Sequence, residues 1–181
     1  MRGNNCLGAM GLCLGVLINL HACRQYIPDY DGTYVANSAD VQADRTTMND
    51  ILSSFKQAEA ALKRRDIDGI MKLYSDSYKH QSFDKVALRA VWVKLFEEHH
   101  DFSTTHVFTQ VRVEAQTAQI RCTGSLWAVS NATNERVNLD SWFGEVHYMV
   151  PENGAWHIRG NAWEVRSEKQ PQFARPPHPF F

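Results

Sequence analysis

The chain is 181 residues long and 44% hydrophobic, with 19 Lys and Arg against 20 Asp and Glu and a formal net charge of −1 at neutral pH. That balance excludes the basic footprint by which a domain holds nucleic acid, and the sequence carries no glycine-rich phosphate cradle, Walker-type lysine or zinc-knuckle spacing. No nucleic acid, cofactor or metal is expected as a partner, and the length suits one compact domain once flanking segments are set aside.

At the amino end, Arg2 precedes an apolar run from Cys6 to Leu20 that closes on Leu20-His21-Ala22-Cys23. A charged start, an apolar stretch of about 7 to 15 residues and a small residue before the cut are the parts of an export signal. The run falls short of the roughly 20 apolar residues that a membrane-spanning helix needs. Residues 1–23 resemble a bacterial lipoprotein signal peptide, with Leu20 and Ala22 matching the lipobox and His21 atypical in its middle position. The resemblance implies cleavage before Cys23 and a diacylglycerol on its sulfur, hence a cell-envelope protein whose membrane partner is reached through a lipid anchor. Arg24 stands where inner-membrane lipoproteins of enteric bacteria carry aspartate, which favours the outer membrane. Cys6 and Cys13 would leave with the signal, so Cys122 would be the one remaining thiol and no internal disulfide is expected. Its phase with Ile120 and Leu126 reads as a buried strand face, a core thiol rather than a nucleophile.

Residues 23–44 mix Pro, Gly, Asp, Asn and Ser without an apolar period and read as the lipidated cysteine and a tether, although Tyr26, Tyr30 and Tyr34 recur every fourth position. Residues 45–166 read as the domain. Met48, Ile51, Leu52, Phe55, Ala58 and Leu62 repeat at helical steps, with Lys63, Arg64 and Arg65 in the last turn. Asp66 is an N-cap for a short second helix through Tyr74. A third helix starts near Ser82 to Asp84, carries Leu88, Val91, Trp92, Leu95 and Phe96, and ends around Glu98 to Asp101. The period then becomes two, giving strand runs over Val107–Val113, Ala118–Val129, Arg136–Val150 and Trp156–Val165. Short turns between long strands predict an antiparallel meander, and helices ahead of strands predict α+β layers. The tail over 167–181 is Pro-rich and ends on Phe180-Phe181.

Three helices ahead of four strands, with Leu73-Tyr74-Ser75-Asp76-Ser77-Tyr78-Lys79-His80 closing the second helix, resemble the nuclear transport factor 2-like superfamily, which includes SnoaL-type cyclases, ketosteroid isomerase and scytalone dehydratase. The resemblance implies a cone in which a curved antiparallel four-stranded sheet wraps the helices around a pocket. The residues it carries onto that pocket are Tyr74, Tyr78, His80, Phe83, Trp92 and Phe96 from the helical side. From the strands it carries Trp127, Asp140, Trp142, His147, Arg159 and Trp163. The strand phase that faces inward is left open, so Trp127 and Trp142 are either pocket walls or cover for an outer face through which relatives pair.

The leading functional expectation is a domain binding a small apolar ligand or a protein partner, with enzymatic activity uncertain. The alternatives are an isomerase, cyclase or dehydratase using the same pocket, and a structural homodimer through the sheet. An enzyme of this fold needs a base beside the substrate and a donor for a developing oxyanion, and His80, Asp140 and Tyr78 are the residue types that could supply them. His99-His100-Asp101 reads as a solvated helix end, because adjacent helical residues diverge by about 100° and do not converge on a metal. His147 and His157 read as sheet-surface residues, and Arg159 as a cross-strand partner for Glu145 or Asp140.

Overall fold

The computed structural model describes residues 33–80 and 83–160. Cys23 with its signal, Trp163 and the Pro-rich tail lie outside the described residues. In chain order the elements are β1 (Thr33–Gln42), α1 (Arg45–Lys63), α2 (Ile67–Met71), β2 (Lys79–His80), β3 (Phe83–Asp84), α3 (Lys85–Glu98), β4 (His99–Glu114), β5 (Thr117–Ser130), β6 (Arg136–Glu152) and β7 (Ala155–Ile158). The main sheet runs β1-β4-β5-β6-β7, and β2 pairs with β3 in a separate two-stranded ribbon.

The three helices begin where their caps dictate. Asp44, Asp66 and Asp84 each accept a hydrogen bond from the backbone N–H three residues on, at 2.9, 2.9 and 2.8 Å. Each such cap contributes about 1 kcal/mol by satisfying a donor that the first helical turn leaves open. The apolar stripe of α1 is buried from Met48 through Leu62 against the concave face of the sheet. Each large side chain buried this way is worth roughly 1.5 to 3 kcal/mol. The second helix is shorter than its apolar positions predict, ending at Met71, because Leu73 to Ser75 leave it to run beside β7. Ile158 N–H donates to the Leu73 carbonyl and Ser75 N–H to the Ile158 carbonyl.

The tether expected over residues 23–44 is corrected in its second half. Thr33–Gln42 is a strand lying parallel to β4, with Thr33 opposite His106 and Gln42 opposite Arg112. The sheet therefore has five strands, four of them the antiparallel meander. The pairing breaks between Val35 and Asp40, so residues 36–39 loop out of register and only Thr33 and Val35 are buried, which hides any alternation. The helix end expected at His99 to Asp101 is also corrected, since these residues open β4; His99 Nδ1 lies 3.2 Å from the Leu95 carbonyl and His100 Nδ1 2.8 Å from Asn131 Oδ1.

Bulges set which strand residues face inward. Thr109 is an extra residue in β4, because Phe108 faces Cys122 whereas Gln110 faces Arg121. The buried phase accordingly switches from His106 and Phe108 to Val111. In β6 one insertion is at Leu139, between Asn138 opposite Trp127 and Asp140 opposite Leu126, and a second is at Gly144, with φ of +63°, where Trp142 pairs with Gly124 and His147 with Ile120. A left-handed residue is accommodated there by glycine, and the bulge bends the strand around α1.

Candidate functional site

The interior of the cone is built on Phe55 of α1. Its ring meets Phe108, His106 and His147 edge-on, at centroid separations of 5.0, 5.3 and 6.1 Å. The Thr104 hydroxyl donates to the Ser125 carbonyl at 3.0 Å, so it accepts from His106 Nε2–H at 3.2 Å. His106 Nδ1 is thereby the acceptor and faces the Cys122 sulfur at 3.6 Å, while Trp142 Nε1–H donates to that sulfur at 3.3 Å. The Thr123 carbonyl, also at 3.6 Å, is a second acceptor for the thiol proton.

These groups are held neutral. Burial drives the His106 imidazole well below its ordinary value, with His147 adding to the effect. Burial likewise lowers His147 to about 3, assisted by the nearby His80. The Cys122 thiol is pushed up to about 12, chiefly by burial against a weaker opposing hydrogen bond from Trp142. A nucleophilic cysteine and its histidine need the reverse shifts, a thiolate beside an imidazolium. The Cys122–His106 contact is packing with a fixed proton arrangement, as the strand phase of Cys122 predicts.

Of the residues carried onto the pocket, Tyr74, Tyr78, Trp92, Phe96 and Trp142 are all buried in the core, with the Tyr74 and Tyr78 rings 5.1 Å apart and Trp142 packed on His106 at 5.1 Å between ring centroids. Burial raises the phenols of both tyrosines, and the Trp92 indole only partly offsets this at Tyr74. The Tyr78 side chain is buried and its hydroxyl makes no hydrogen bond. His80 is buried within charge range of His147, and Phe83 is half-buried opposite it in the β2–β3 ribbon. Asp140 is half-buried across from Leu126 and accepts from Ser141 N–H at 2.7 Å.

Two candidates stand elsewhere. Trp127 is on the outer face, where its indole donates to Ser125 Oγ at 3.0 Å and the Arg136 guanidinium lies 5.0 Å above its ring. Arg159 is exposed, and its backbone, with N–H to Tyr148 and carbonyl to Lys79, ties the end of β7 to its neighbours. The sheet-surface expectation for His147 is corrected: the bulge at Gly144 turns it inward, and it is fully buried. His157 is half-buried at the sheet edge, with Nδ1 2.7 Å from the Lys72 carbonyl and Nε2 3.0 Å from that of Glu152.

A second region opens one helical turn beyond Phe55. A cleft of about 260 Å³ lies between Glu59, Leu62 and Lys63 of α1 and the residues from Phe102 to Thr105 of β4. Glu59 is only 4% exposed and accepts a hydrogen bond from the Thr33 hydroxyl at the start of β1. Leu62 and Phe102 border it with apolar side chains and Lys63 with a cation, while the hydroxyls along β4 are engaged elsewhere, Ser103 with Arg136, Thr104 with the Ser125 carbonyl and Thr105 with Ser125 Oγ. Arg65 is committed nearby, since its guanidinium donates to the carbonyls of Phe96 and His99.

The chain matches no described sequence family and no curated protein. Among solved structures it is similar to a candidate dehydratase from the nuclear transport factor 2-like family of Streptomyces avermitilis, at 10% identity and a TM-score of 0.51, covering 65% of this chain and 95% of that one. The fold is nuclear transport factor 2-like. A candidate aromatic ring hydroxylase of Novosphingobium aromaticivorans is similar at 12% identity and a TM-score of 0.56, covering 66% of this chain and 88% of that one. A conserved protein of Planctomyces limnophilus reaches the same TM-score at 11% identity, covering 65% of this chain and 94% of that one. These likenesses concern the fold, on which function is a separate question.

Within this nuclear transport factor 2-like domain, sequence reasoning missed Glu59 and His106. Glu59 stands in the buried stripe of α1 between Phe55 and Leu62, and a carboxylate at an apolar helix position is a legible signal. His106 shares a phase with Phe108, but the bulge at Thr109 conceals which phase is inside.

Proposed function

We propose that the chain is an envelope lipoprotein, anchored through lipid on Cys23, whose nuclear transport factor 2-like domain binds a small ligand with an apolar part in the cleft between α1 and β4. The observation that carries the reading is the make-up of that cleft, where Leu62 and Phe102 lie beside Lys63 and Glu59. Apolar walls with a few convergent polar groups are the pattern of a small-molecule site. Enzyme chemistry of the dehydratase or isomerase kind has less support, despite the names of similar proteins. A buried imidazole with a pKa of about 3 is a weak base near neutral pH and is not protonated to act as an acid. A second reading, self-association through the sheet, is favoured by Phe143, which is 80% exposed on β6.

Two measurements test the proposal separately. Metabolic labelling with palmitate is expected to mark the native chain and not the Cys23→Ala variant, and equal labelling of both would remove the anchor. Thermal melts of the full chain with decanol, decylamine and decanoate are expected to show stabilisation, about 2.7 kcal/mol at a hundredfold excess over Kd. The effect is expected to vanish when Lys63→Trp covers the cleft from the exposed face of α1. Stabilisation that survives that variant would move the ligand elsewhere.

A further inference from the structure

His157, in β7, commits both ring nitrogens to acceptors of one kind. Its Nδ1 lies 2.7 Å from the Lys72 carbonyl and its Nε2 3.0 Å from the Glu152 carbonyl. A carbonyl oxygen only accepts, whereas a neutral imidazole has one N–H and one lone pair. In either neutral tautomer one nitrogen would turn its lone pair on an oxygen. The imidazolium, with a proton on each nitrogen, donates to both.

The two carbonyls belong to different parts of the chain. Lys72 follows the last residue of α2, and its carbonyl meets no backbone donor among the described residues. Glu152 ends β6 and pairs with Ala155 across the Asn153-Gly154 turn. Directly after Lys72, residues 73–79 lie along β7 through three backbone hydrogen bonds. Ile158 N–H donates to the Leu73 carbonyl, Ser75 N–H to that of Ile158, and Lys79 N–H to that of Arg159. The Ser75 hydroxyl and the Asp76 N–H also reach the Glu152 carboxylate, at 2.6 and 3.3 Å. His157 thus joins the place where this segment leaves α2 to the turn between β6 and β7.

The charges at this corner suit a positive ring. Asp76 feels His157, although its carboxyl is held below the ordinary value chiefly by the Lys85 ammonium at 2.8 Å. Glu152 brings a second carboxylate. Of the cations, Lys85 is spent on Asp76 and on the Tyr74 carbonyl, and Lys72 is exposed. Val150 stands opposite His157 in β6, and α1 packs on the other face of β7, that of Trp156 and Ile158. We propose that His157 is a proton-operated clamp: as the imidazolium it holds residues 73–79 on β7, and when the ring is neutral that segment loosens. The effector is the proton, over the range of about pH 5 to 8 in which imidazoles change charge. The segment carries the buried Tyr74 and Tyr78, so the clamp governs how firmly the aromatic group is closed at this border. Acid tightens it there, the opposite of the response set by the desolvated His147.

The test is amide hydrogen exchange of the full chain in detergent micelles, read residue by residue by NMR and corrected for the pH dependence of exchange in free peptides. Protection of the Ser75, Lys79 and Ile158 amides is expected to fall about tenfold between pH 5.5 and pH 8, the size of one hydrogen bond from a charged donor. His157→Gln should abolish that difference and leave the three amides at the lower protection at both pH values. At pH 6 the His157 ring is expected to show two N–H protons, both protected from exchange. Should His157→Gln fail to fold, the native pH comparison and the ring protons decide by themselves. A single protected ring proton, or protection that is equal at the two pH values in the native chain, would overturn the proposal. So would an undiminished fall in the His157→Gln chain, since another group would then be titrating.

Discussion

The interior around Phe55 and the cleft around Glu59 are made by the same two elements, α1 and β4, one helical turn apart, yet their polar groups have opposite fates. Around Phe55 the sheet closes over the helix, and His106, His147 and Cys122 lose their water. Desolvation disfavours every charged form there, so imidazoles go down, the thiol goes up, and hydrogen bonds fix the protons. Around Glu59 a cleft lies between α1 and β4, bordered by Lys63 and residues 102–105. Histidine and cysteine inside a cone of this fold are thus no sign of chemistry by themselves. What matters is whether the pleat that carries them still reaches solvent.

Removing β1 should have the largest effect on this pair of regions, because Thr33 bonds to Glu59 on the cleft side while Val35 packs into the core and faces Phe108. A chain beginning at Asp44 is expected to lose its cooperative denaturant transition and to bind hydrophobic dye. A sharp two-state melt of that fragment would restore residues 45–166 as the folding unit.

Acid should then act on the interior. His147 is held at about 3 in the folded chain against an ordinary 6.5, so the unfolded chain takes up a proton that the folded one refuses. Stability is fully present above pH 6.5 and declines as the pH falls toward 3, with His106 adding in the same direction. A shift of this size corresponds to a loss on the order of 5 kcal/mol across the whole window. Urea melts from pH 7.5 to 4 should show that slope, and His147→Gln should flatten it. Stability that stays constant down to pH 4.5 would mean that water reaches the ring.

The smallest expected effect is at Tyr78. Its hydroxyl is buried without a hydrogen bond, so Tyr78→Phe removes a desolvated polar group and leaves the ring packing on Tyr74. The folding free energy should change by no more than about 0.5 kcal/mol, or rise slightly. A loss above 1 kcal/mol would show that the hydroxyl is satisfied in solution and belongs to a polar network.

Helix starts were legible because capping is local: Asp44, Asp66 and Asp84 act within three residues of themselves, and two of them were readable as signals ahead of apolar stripes. The meander was legible from its period and from turns such as Asn153-Gly154, both of which take positive φ, of 52° and 81°. The inward face of the sheet was not, because each bulge inverts the alternation downstream of it and the bulged residues Thr109 and Gly144 carry no distinguishing pattern in one sequence. That inversion hid His147 and left Trp142 undecided, whereas Trp127 lies out of phase with Cys122 and Leu126 on a strand without an inserted residue. β1 was hidden for another reason: a parallel edge strand is specified by its partner, and Asn37, Ser38 and Asp40 have no apolar phase of their own. In the candidate site, the aromatic group from Tyr74 to Phe96 followed from the fold resemblance, whereas Glu59 needed the observation that the stripe it interrupts is buried.

The segment from Leu73 to Lys79 runs along β7 and occupies its outer backbone groups, with Lys79 N–H reaching the Arg159 carbonyl. That border of the sheet is consequently covered by the chain's own backbone along β7, so a second chain cannot add a strand to Ala155–Ile158 without displacing Leu73–Lys79.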